Sequence, residues 1–535
     1  MTTILEALSD NITIDKNKCI YCGKCTEACI VDNIRLKLPP CRGKCPLDLN
    51  CQGYVQLIGR GEINKALEVI YDTTPFAGIL GRVCHQPCEA ACKRKDIDGQ
   101  PVAIRELKRF LADNGTFAPD SLPKSENGKS VAVVGGGPAG VMAAYLLREQ
   151  GFQVTIFEAS SRLGGMMAYA IPDFRLPLEV LTREMGQLAT IGVKIRYNTK
   201  VGKDIKFDEV VKSHDYVIVT TGTPVSKKLN IDGENLPNVY DALGFLRRAK
   251  ETEKPAVGRR VVVIGGGNTA INAAQTALRL GAENVRVISL ECRDGLPAFD
   301  SEVKEALTEG ILLDCGWGPA QFLQDKGQVV GVNFKRCVAV CSKDGCFDPL
   351  FVEGERMEVA VDTVIVAIGQ GADLAFLDGT SVEKQGGLII ADPITMQTAV
   401  KNIFAAGDIV TGPKSVVEAL AQGREAAESI MRDFVGLSIS YERDRMTGYE
   451  TEYLIDVSKA VPGSRLKARA ISPEDRRRFV EIENSMTSEQ AIMEAKRCLS
   501  CGEPFGKYRM CWSCLACEVV CPEEALSIEV PYLLR

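Results

Sequence analysis

The sequence predicts an α/β fold, and three observations support this prediction. Short runs of β-branched and other apolar residues alternate with helical stretches, which is typical of parallel-sheet domains. Glycine-rich turns occur twice where such a run meets a helix. The cysteines are concentrated towards the two ends of the chain, with ten of the 21 in residues 19–92 and six in residues 498–521.

Composition excludes several classes of protein. The chain has 535 residues, 45% of them hydrophobic, and its 64 basic and 70 acidic side chains give a formal net charge of -6. This length indicates about three to five domains, each with its own core. The acidic balance argues against nucleic acid or an anionic membrane as a partner. The longest uncharged apolar run, 131–147, is shorter than the roughly 20 residues of a membrane span, and no secretory signal opens the chain. We therefore expect a cytoplasmic protein without a membrane span.

In a reducing compartment, 21 cysteines are not expected to form a disulfide framework. The sequence contains only two histidines. Mixed Cys/His zinc sites and histidine acid-base catalysis are therefore poorly supplied.

The first glycine turn predicts a dinucleotide site. Residues 131–140 read V-A-V-V-G-G-G-P-A-G, a strand, a G-x-G-x-x-G turn and the start of a helix. Such glycines allow a tight turn, a close approach of pyrophosphate to backbone amides, and packing of helix on strand. Glu158 ends the next strand, where a carboxylate would accept hydrogen bonds from a ribose. The predicted site residues of the turn are Gly135, Gly137, Pro138, Ala139 and Gly140.

A second turn repeats the design, so the sequence predicts two bound dinucleotides. Its site residues are Gly265, Gly267, Asn268, Thr269 and Ala270. The following strand ends at Glu291, which suits a free 2′-hydroxyl and repels a 2′-phosphate. Arg293, two residues later, could answer such a phosphate. The balance favours NAD(H) over NADP(H).

Four further segments resemble the FAD-contacting segments of the glutamate synthase small subunit and its relatives, including the N-terminal part of dihydropyrimidine dehydrogenase. They are 158–165 (E-A-S-S-R-L-G-G), 169–176 (Y-A-I-P-D-F-R-L), 220–223 (T-T-G-T) and 405–408 (A-A-G-D). The resemblance extends over residues 40–436. It implies FAD in an outer Rossmann-like domain and a nicotinamide cofactor in an inserted one. The site residues that it implies are Glu158, Ala159, Gly164, Gly165, Arg175, Thr221, Gly222, Gly369, Gly407 and Asp408.

The chemistry that remains is hydride exchange. No cysteine pair follows Gly164 and Gly165 or lies just after Asn268, as it would in a disulfide reductase. No nucleophile with an adjacent base is evident, so no catalytic side chain is predicted. Hydride transfer between nicotinamide and flavin, with the protein supplying orientation, is the chemistry that we assign.

The N-terminal cysteines form a C-x2-C-x2-C-x3-C run, typical of a bacterial ferredoxin. Ile30 replaces the proline that usually follows this run, which leaves open which cluster the fourth cysteine, Cys29, would bind. Zinc is the alternative for these thiols. The predicted ligands are Cys19, Cys22, Cys25 and Cys29.

The same family resemblance implies a paired-cluster domain in the next segment, in which Cys41 and Cys92 share one [4Fe-4S] cluster. The implied ligands of the second are Cys45, Cys84 and Cys88. The chain lacks the family's C-x2-C before Cys41 and carries an extra candidate ligand, Cys51. The segment could hold one cluster, borrow a ligand from the first run, or use Cys51, which could equally be a buried thiol.

The C-terminal cysteines include a complete ferredoxin run ending in Cys-Pro. They could form one cluster with a partial second, or two if another residue or chain supplies a ligand. Sixteen thiolates in total suffice for about four [4Fe-4S] clusters, with three or five as alternatives. The C-terminal ligands predicted are Cys498, Cys501, Cys511, Cys514, Cys517 and Cys521.

These patterns together predict an α/β protein with two Rossmann-like domains, one inserted in the other, an α-helical iron-sulfur domain and ferredoxin-like ends. The predicted boundaries are 1–38 for the first ferredoxin-like segment, 39–128 for the helical iron-sulfur domain, 129–255 and 371–436 for the two parts of the FAD domain, 256–370 for the inserted NAD(P) domain, 437–495 for a connector and 496–535 for the C-terminal ferredoxin-like domain.

The predicted function is that of an NAD(P)H-linked FAD and iron-sulfur electron-transfer subunit. Its partners would be other subunits of an oxidoreductase complex, acting on a 2-oxoacid, an aldehyde or formate, or a ferredoxin. One alternative is the glutamate synthase small subunit itself. Another, of a different class, is a non-catalytic flavoprotein scaffold or redox sensor. Cys337, Cys341 and Cys346 are interpreted as structural.

Overall fold

The computed structural model describes residues 12–529 except 16, 117–123, 252–253, 342–346, 442, 444–448, 456, 458–459, 461, 469 and 507–510. The chain forms two units. The first consists of Met1–Asp120, Ser440–Arg469 and Ser485–Arg535, and the second of Ser121–Ile439 and Ala470–Asn484. The segment predicted as a connector, 437–495, is divided between the two.

The first sheet of the second unit has five parallel strands. Every residue of 131–134 and 216–219 is buried, as expected of central strands covered on both faces. The strand that is last in sequence lies at one edge, so the chain returns to this sheet after building another domain. The strand order is Ile403–Ala405, Tyr216–Val219, Ser130–Val134, Gln153–Phe157 and Lys194–Arg196.

The second sheet of this unit is also parallel and five-stranded. It is formed mostly by the predicted insertion, with one edge strand that precedes it in sequence. Its order is Leu312–Cys315, Asn284–Ser289, Arg260–Ile264, Thr363–Val366 and Val239–Asp241. Two parallel sheets with the first resumed after the second confirm the predicted fold class.

A three-stranded antiparallel sheet lies in sequence between strands Leu312–Cys315 and Thr363–Val366 of the second parallel sheet. Its strands are Trp317–Asp325, Gln328–Cys341 and Phe347–Ala360. Cys337 lies on its middle strand, is buried, and donates to the carbonyl of Ala339 at 3.2 Å. This is the environment of a packed thiol. Cys341 is exposed, and Cys346 lies outside the described residues.

The other elements of the second unit are connecting helices and short strands. The longest helix starts at a capping box formed by Ser415 and Glu418. The helices are Pro138–Glu149, Met166–Tyr169, Leu178–Thr190, Phe207–Ser213, Ala242–Ala249, Asn268–Arg279, Asp300–Thr308, Asp408–Thr411 and Val416–Phe434, with 3-10 turns at Arg293–Gly295, Ala375–Leu377 and Asp475–Arg477. Two-stranded pairs are Val225–Ser226 with Gln370–Gly371 and Lys384–Gln385 with Leu388–Ile389.

The first unit contains a helical core. Helices from the N-terminal part pack around Tyr54, Leu107 and Phe110, and the C-terminal residues Ala491 and Ala495 belong to the same buried cluster. The helices are Pro40–Gly43, Cys51–Gly59, Ile63–Tyr71, Ala77–Val83, Pro87–Ala90, Lys95–Asp98, Ile104–Asn114 and Ser488–Ala495.

The two ferredoxin runs belong to the same unit. Strand Ile12–Ile14 pairs antiparallel with Leu526–Ile528. Strand Ile34–Lys37 pairs with Pro504–Gly506 and with Tyr449–Glu450. Each run also contains one short helix, and these helices are Lys24–Glu27 and Ala516–Val519. Segments from the beginning and the end of the chain therefore form one structure.

The buried ion pair of Glu494 and Arg497 connects the C-terminal helix Ser488–Ala495 to the N-terminal part of the chain. Glu494 is fully buried and accepts hydrogen bonds from Arg497 at 2.6 Å, from the amide of Ala103 at 2.9 Å and from the amide of Leu466 at 2.7 Å. Gln52 and Gly502 add two reciprocal hydrogen bonds of 2.8 and 2.7 Å. In the part of the chain that the structure describes, no helix has the length and hydropathy to cross a bilayer.

Replacing Glu494 should loosen this attachment. Breaking a buried pair by removing one partner typically costs about 3–5 kcal/mol, so Glu494→Ala should speed amide hydrogen exchange across helix Ser488–Ala495 by a corresponding factor. Glu489→Ala, at an exposed position of the same helix, should change the opening free energy measured by exchange by less than about 1 kcal/mol. Equal protection in the two variants would contradict the proposed role of the buried pair.

Candidate functional site: four thiol sets and two dinucleotide cradles

The two ferredoxin runs repeat the same local backbone. In each C-x-x-C loop the residue before the second cysteine is left-handed, Tyr21 with φ 57° and Ser513 with φ 50°. The amides of these residues donate to Cys19 Sγ and Cys511 Sγ, both at 3.4 Å. Such loops turn sulfurs inwards and give them N–H donors, the environment that tunes iron-sulfur clusters.

The fourth cysteine of each run lies with the opposite run. A cavity is lined by Cys19, Cys22, Cys25 and Cys521, and we name these four thiols set 3. Cys517 interacts electrostatically with Cys29, Cys511 and Cys514, which together form set 4. Each set therefore combines thiols from both ends of the chain.

A further set joins the two ends in the helical core. Its cavity is lined by Cys41, Cys92, Cys498 and Cys501, named set 2, and also by Cys51. Ser500 has φ 52° and so repeats the left-handed residue of the other C-x-x-C loops. The C-x2-C pair missing before Cys41 is thus supplied, in space, from the C-terminal part of the chain.

The last set, named set 1, consists of Cys45, Cys51, Cys84 and Cys88. Cys51, Cys84 and Cys88 are at most 6% exposed, and Cys51 interacts with both Cys45 and Cys88. The interaction with Cys51 lowers the pKa of Cys45. Lys108, also buried, has its strongest charge interactions with these same four thiols.

The chemistry of these donors fits [4Fe-4S] clusters. Among the described residues, no three His, Cys, Asp or Glu side chains gather around a point as a single metal ion requires. Zinc would draw its sulfurs to about 2.3 Å, whereas the thiolates of a cubane bind different irons and lie further apart. Burial raises the pKa of Cys19 to about 11 and of Cys25 to about 12, so metal loading at neutral pH would displace protons.

The four sets form a continuous series. Cys51 of set 1 interacts with Cys41 of set 2 and lines the cavity of set 2. Tyr21, which is buried, interacts with both Cys19 and Cys498 and lies 3.4 Å from Ser500 through its hydroxyl, which connects set 2 to set 3. Cys25 of set 3 interacts with Cys517 of set 4. The series begins at buried thiols and ends at Cys514, which is exposed.

The first glycine turn has the form of a pyrophosphate cradle. Helix Pro138–Glu149 is N-capped by Gly137 without a side-chain hydrogen bond, which leaves its first amides for a ligand. A Cβ on Gly140 would lie 2.1 Å from the carbonyl of Gly135, so helix and turn are in close contact. Glu158 accepts hydrogen bonds from the amides of Gly136 at 2.8 Å and Ser160 at 2.7 Å.

Other residues predicted for FAD surround this turn. A Cβ on Gly165, which has φ 54°, would lie 3.0 Å from Gly137, and one on Gly407 would lie 3.1 Å from Ala139. Thr221 Oγ1 is buried without a hydrogen-bond partner among the described residues. A cradle of this form with an orphaned hydroxyl fits a large polar cofactor.

Asp408 and Gly222 lie at the same end of the first sheet. Burial raises the pKa of Asp408 to about 6, and its carboxylate accepts from the amide of Lys414 at 3.2 Å. A Cβ on Gly222, with φ 63°, would meet no atom within 4 Å. Gly164 donates to the carbonyl of Gly136 at 2.8 Å, whereas Ala159 is exposed.

Arg175 makes its contacts with the inserted domain. Its guanidinium donates to Asn272 at 2.9 Å and Gln275 at 2.7 Å, and lies 3.0 Å from a carboxylate oxygen of Glu305. The structure therefore ties the segment around Arg175 to helix Asn268–Arg279, and does not bring the guanidinium to the first glycine turn.

The second glycine turn forms another cradle. Helix Asn268–Arg279, which begins with Asn268, Thr269 and Ala270, is N-capped by Gly267, again without a side-chain hydrogen bond. A Cβ on Gly266 would lie 2.8 Å from Glu291 Oε2, which also accepts from Ser289 Oγ at 2.5 Å. The carboxylate therefore lies beside the turn. Arg293 is exposed on a 3-10 turn.

Gln370, which follows Gly369 and was not predicted from the sequence, connects the two cradles. Its amide nitrogen donates to Thr269 Oγ1 and its amide oxygen accepts from Thr223 Oγ1, both at 3.4 Å. The strand that carries it pairs with Val225–Ser226. Lys108 was also missed, because a lysine in a helical pattern ordinarily indicates a solvated face.

Comparison with known proteins supports both parts of this site. A family model described as pyridine nucleotide-disulphide oxidoreductase matches residues 129–423. A model described as dihydropyrimidine dehydrogenase domain II, 4Fe-4S cluster, matches residues 4–118.

Similar proteins include several subunits of oxidoreductases. The chain is 35% identical to NADP(+)-dependent formate dehydrogenase subunit beta of Moorella thermoacetica, over 86% of this chain and 70% of that one. It is 33% identical to NADPH-Fe(3+) oxidoreductase subunit beta of Geobacter sulfurreducens, over 86% and 75%. It is 32% identical to the glutamate synthase [NADPH] small chain of Escherichia coli K12, over 78% and 90%.

The composition of set 2 makes a direct prediction. Cys498→Ser and Cys41→Ser should remove the same cluster, so each should lose up to about four irons per chain and the same electron paramagnetic resonance signal. Cys341→Ser, at an exposed thiol outside the sets, should lose none. Loss of different signals in the two variants would show that these cysteines belong to separate clusters.

Proposed function

This chain belongs to the pyridine nucleotide-disulphide oxidoreductase family and is an NAD(P)H-dependent flavin iron-sulfur oxidoreductase. We propose that it exchanges hydride with NAD(H) and conducts electrons through clusters bound by sets 1 to 4 to a partner subunit. One observation supports the conducting role above others. Four sets of thiols run without interruption from buried Cys84 to exposed Cys514 within one unit. A structural cluster needs no such series.

FAD takes up two electrons with a hydride, and each iron-sulfur cluster carries them singly. The protein's contribution is to bind and orient these groups. Gly137 and Gly267 leave helix amides open to the two pyrophosphates, while Glu158 and Glu291 stand where each ribose would lie. Gln370 fixes the two cradles relative to each other through Thr223 and Thr269.

The nicotinamide proposed is NAD(H) in preference to NADP(H). Glu291 lies beside the second glycine turn, where its charge would repel a 2′-phosphate. Arg293 is the cation nearest in sequence, and it is exposed. The names of the relatives given above refer to NADP(+) or NADPH, so the test must compare both nucleotides.

Flavin reduction in anaerobic stopped-flow mixing would make this comparison. NADH should reduce the flavin with a kcat/KM at least about tenfold above that for NADPH. The reason is that repulsion between the Glu291 carboxylate and a 2′-phosphate is expected to cost about 1.4 kcal/mol or more. Glu291→Gln should narrow the ratio, whereas Glu283→Gln, an exposed carboxylate of the same domain, should leave it unchanged. A preference for NADPH in the unsubstituted protein would overturn the assignment. Reduction by neither nucleotide would favour the redox-sensor alternative.

A docking face is proposed around set 4. Ile30, Trp512 and Val519 are 72%, 67% and 81% exposed, and each lies within a few residues of a set 4 cysteine. Exposed apolar side chains in such a group are typical of interaction surfaces. Because electron transfer weakens steeply with distance, a redox protein seated over Cys514 would be well placed. The occupant proposed is an iron-sulfur protein, either a subunit of the same complex or a ferredoxin.

Electron entry at this face can be measured with a chemically reduced bacterial 2[4Fe-4S] ferredoxin as donor and NAD+ as acceptor. Val519→Lys and Trp512→Ser should lower kcat/KM for the ferredoxin about tenfold, a loss of about 1.4 kcal/mol. With reduced methyl viologen as the donor, which needs no docking, the variants should react at the same rate as the unsubstituted protein. Leu454→Lys alters an exposed apolar residue elsewhere and serves as the control. Equal rates for all three variants would exclude the face.

The relatives favour membership of a multi-subunit complex, and formate or another small oxidisable substrate would then be handled by a partner subunit. The glutamate synthase small chain is the second candidate, supported by 32% identity over 78% of this chain. The two ferredoxin runs that form sets 3 and 4 argue against this candidate, because they add a path for electrons that a glutamate synthase small chain does not require. All 20 cysteines in the described part of the chain are free, which is consistent with the proposed cytoplasmic location.

A further inference from the structure

Cys51 occupies a defined position in the helical core. It is 1% exposed and begins helix Cys51–Gly59. The preceding residue, Asn50, caps this helix by accepting the amide of Gly53 at 3.0 Å and donates to the carbonyl of Ile20 at 2.8 Å. The backbone around Cys51 is therefore fixed from both sides, and its thiol is directed into the protein.

Counting thiols assigns Cys51 to one set. It lines the cavity of set 2, but set 2 already has four thiols in Cys41, Cys92, Cys498 and Cys501. Without Cys51, the remaining thiols of the group, Cys45, Cys84 and Cys88, would be one short of the four that a cubane needs.

The neighbouring acid cannot fill this place. Glu89 follows Cys88, but its carboxylate is engaged by Arg465 at 2.6 Å and by the amide of Arg105 at 2.8 Å. Cys51 lies in the same buried cluster as Cys88, and Cys45 packs against that cluster. Cys51 is therefore the remaining donor that interacts with the group.

Lys108 gives the group a second distinctive feature. Its side chain lies on helix Ile104–Asn114 and is 3% exposed, although lysine is almost never buried without a charged partner. Its strongest charge interactions are with Cys84, Cys88, Cys45 and Cys51. An ammonium group has no lone pair for iron, but it offsets the negative charge of four thiolates.

We propose that Cys51 is the fourth ligand of a [4Fe-4S] cluster bound by Cys45, Cys84 and Cys88, and that Lys108 raises the reduction potential of that cluster. The proposal rests on the proposed function only in that the clusters are present. A reduced cluster carries one more negative charge than an oxidised one, so a buried cation favours the reduced state. Lys108 would thus make set 1 the better electron acceptor.

The ligand assignment is tested by iron content and low-temperature electron paramagnetic resonance of the anaerobically purified full chain. Cys51→Ala should lose between about one and four irons per chain, since a cubane with three thiolates loses one iron or dissociates. Cys51→Ser should retain more iron with an altered signal. Cys337→Ser replaces an equally buried thiol outside the sets and should change neither.

Unchanged iron and unchanged signals in Cys51→Ala would overturn the assignment. Flavin content and NADH-driven flavin reduction in the same samples report whether the second unit has folded. Iron absent from the unsubstituted protein would instead defeat the proposed function and leave this assignment without a cluster to test, so the two failures are distinguishable.

The role of Lys108 is tested by potentiometric titration of the set 1 signal. Lys108→Met should lower the midpoint potential while iron content is kept, and Lys108→Arg should restore it. Arg60→Met removes a cation that donates to the carbonyl of Cys19 and should leave the set 1 potential unchanged. An unchanged potential in Lys108→Met with full iron would show that Lys108 is merely packed there.

Discussion

The requirement of each cluster for four thiolates is the constraint on which the first unit depends. Three of the four sets take thiols from both ends of the chain, so they exist only if residues 19–92 meet residues 498–521. Strand pairing of Ile12–Ile14 with Leu526–Ile528, the Gln52–Gly502 contacts and the Glu494–Arg497 pair provide this meeting in the protein itself. Cluster loading would then act as a cross-link between distant segments, in the way that metal binding couples to folding in other small domains.

In the second unit, by contrast, each binding cradle is formed by residues that are close together in the sequence. Each dinucleotide cradle is built within about 30 residues by a strand, a glycine turn and a helix, and the acid that faces it ends the next strand. What must be built over long distances is the relation between the two cradles. Gln370 and Arg175 provide it, the first by bridging Thr223 and Thr269 and the second by joining the loop around Pro172 to the helix that begins at Asn268.

This difference explains which features could be predicted from the sequence. The two parallel sheets, the inserted domain and the glycine cradles follow from patterns that are local in the chain, and the predicted fold class is confirmed. The pairing of cysteines is not local, and spacing alone left open whether Cys498 and Cys501 formed part of a separate C-terminal cluster. Their place beside Cys41 and Cys92 depends on the packing of Ala491 and Ala495 against the N-terminal helices. Lys108 and the contacts of Arg175 could not be predicted either, because buried charge leaves no periodic signal.

The central claim is that hydride from a nicotinamide leaves the flavin as single electrons carried by the four thiol sets. Anaerobic titration of the iron-loaded holoprotein with NADH, followed in parallel by visible absorption and low-temperature electron paramagnetic resonance, tests it most directly. The account predicts bleaching of the flavin together with the appearance of at least one reduced cluster signal, and a loss of that transfer when the cluster ligands are removed. Flavin bleaching with every cluster remaining oxidised, although dithionite can reduce them, would contradict it.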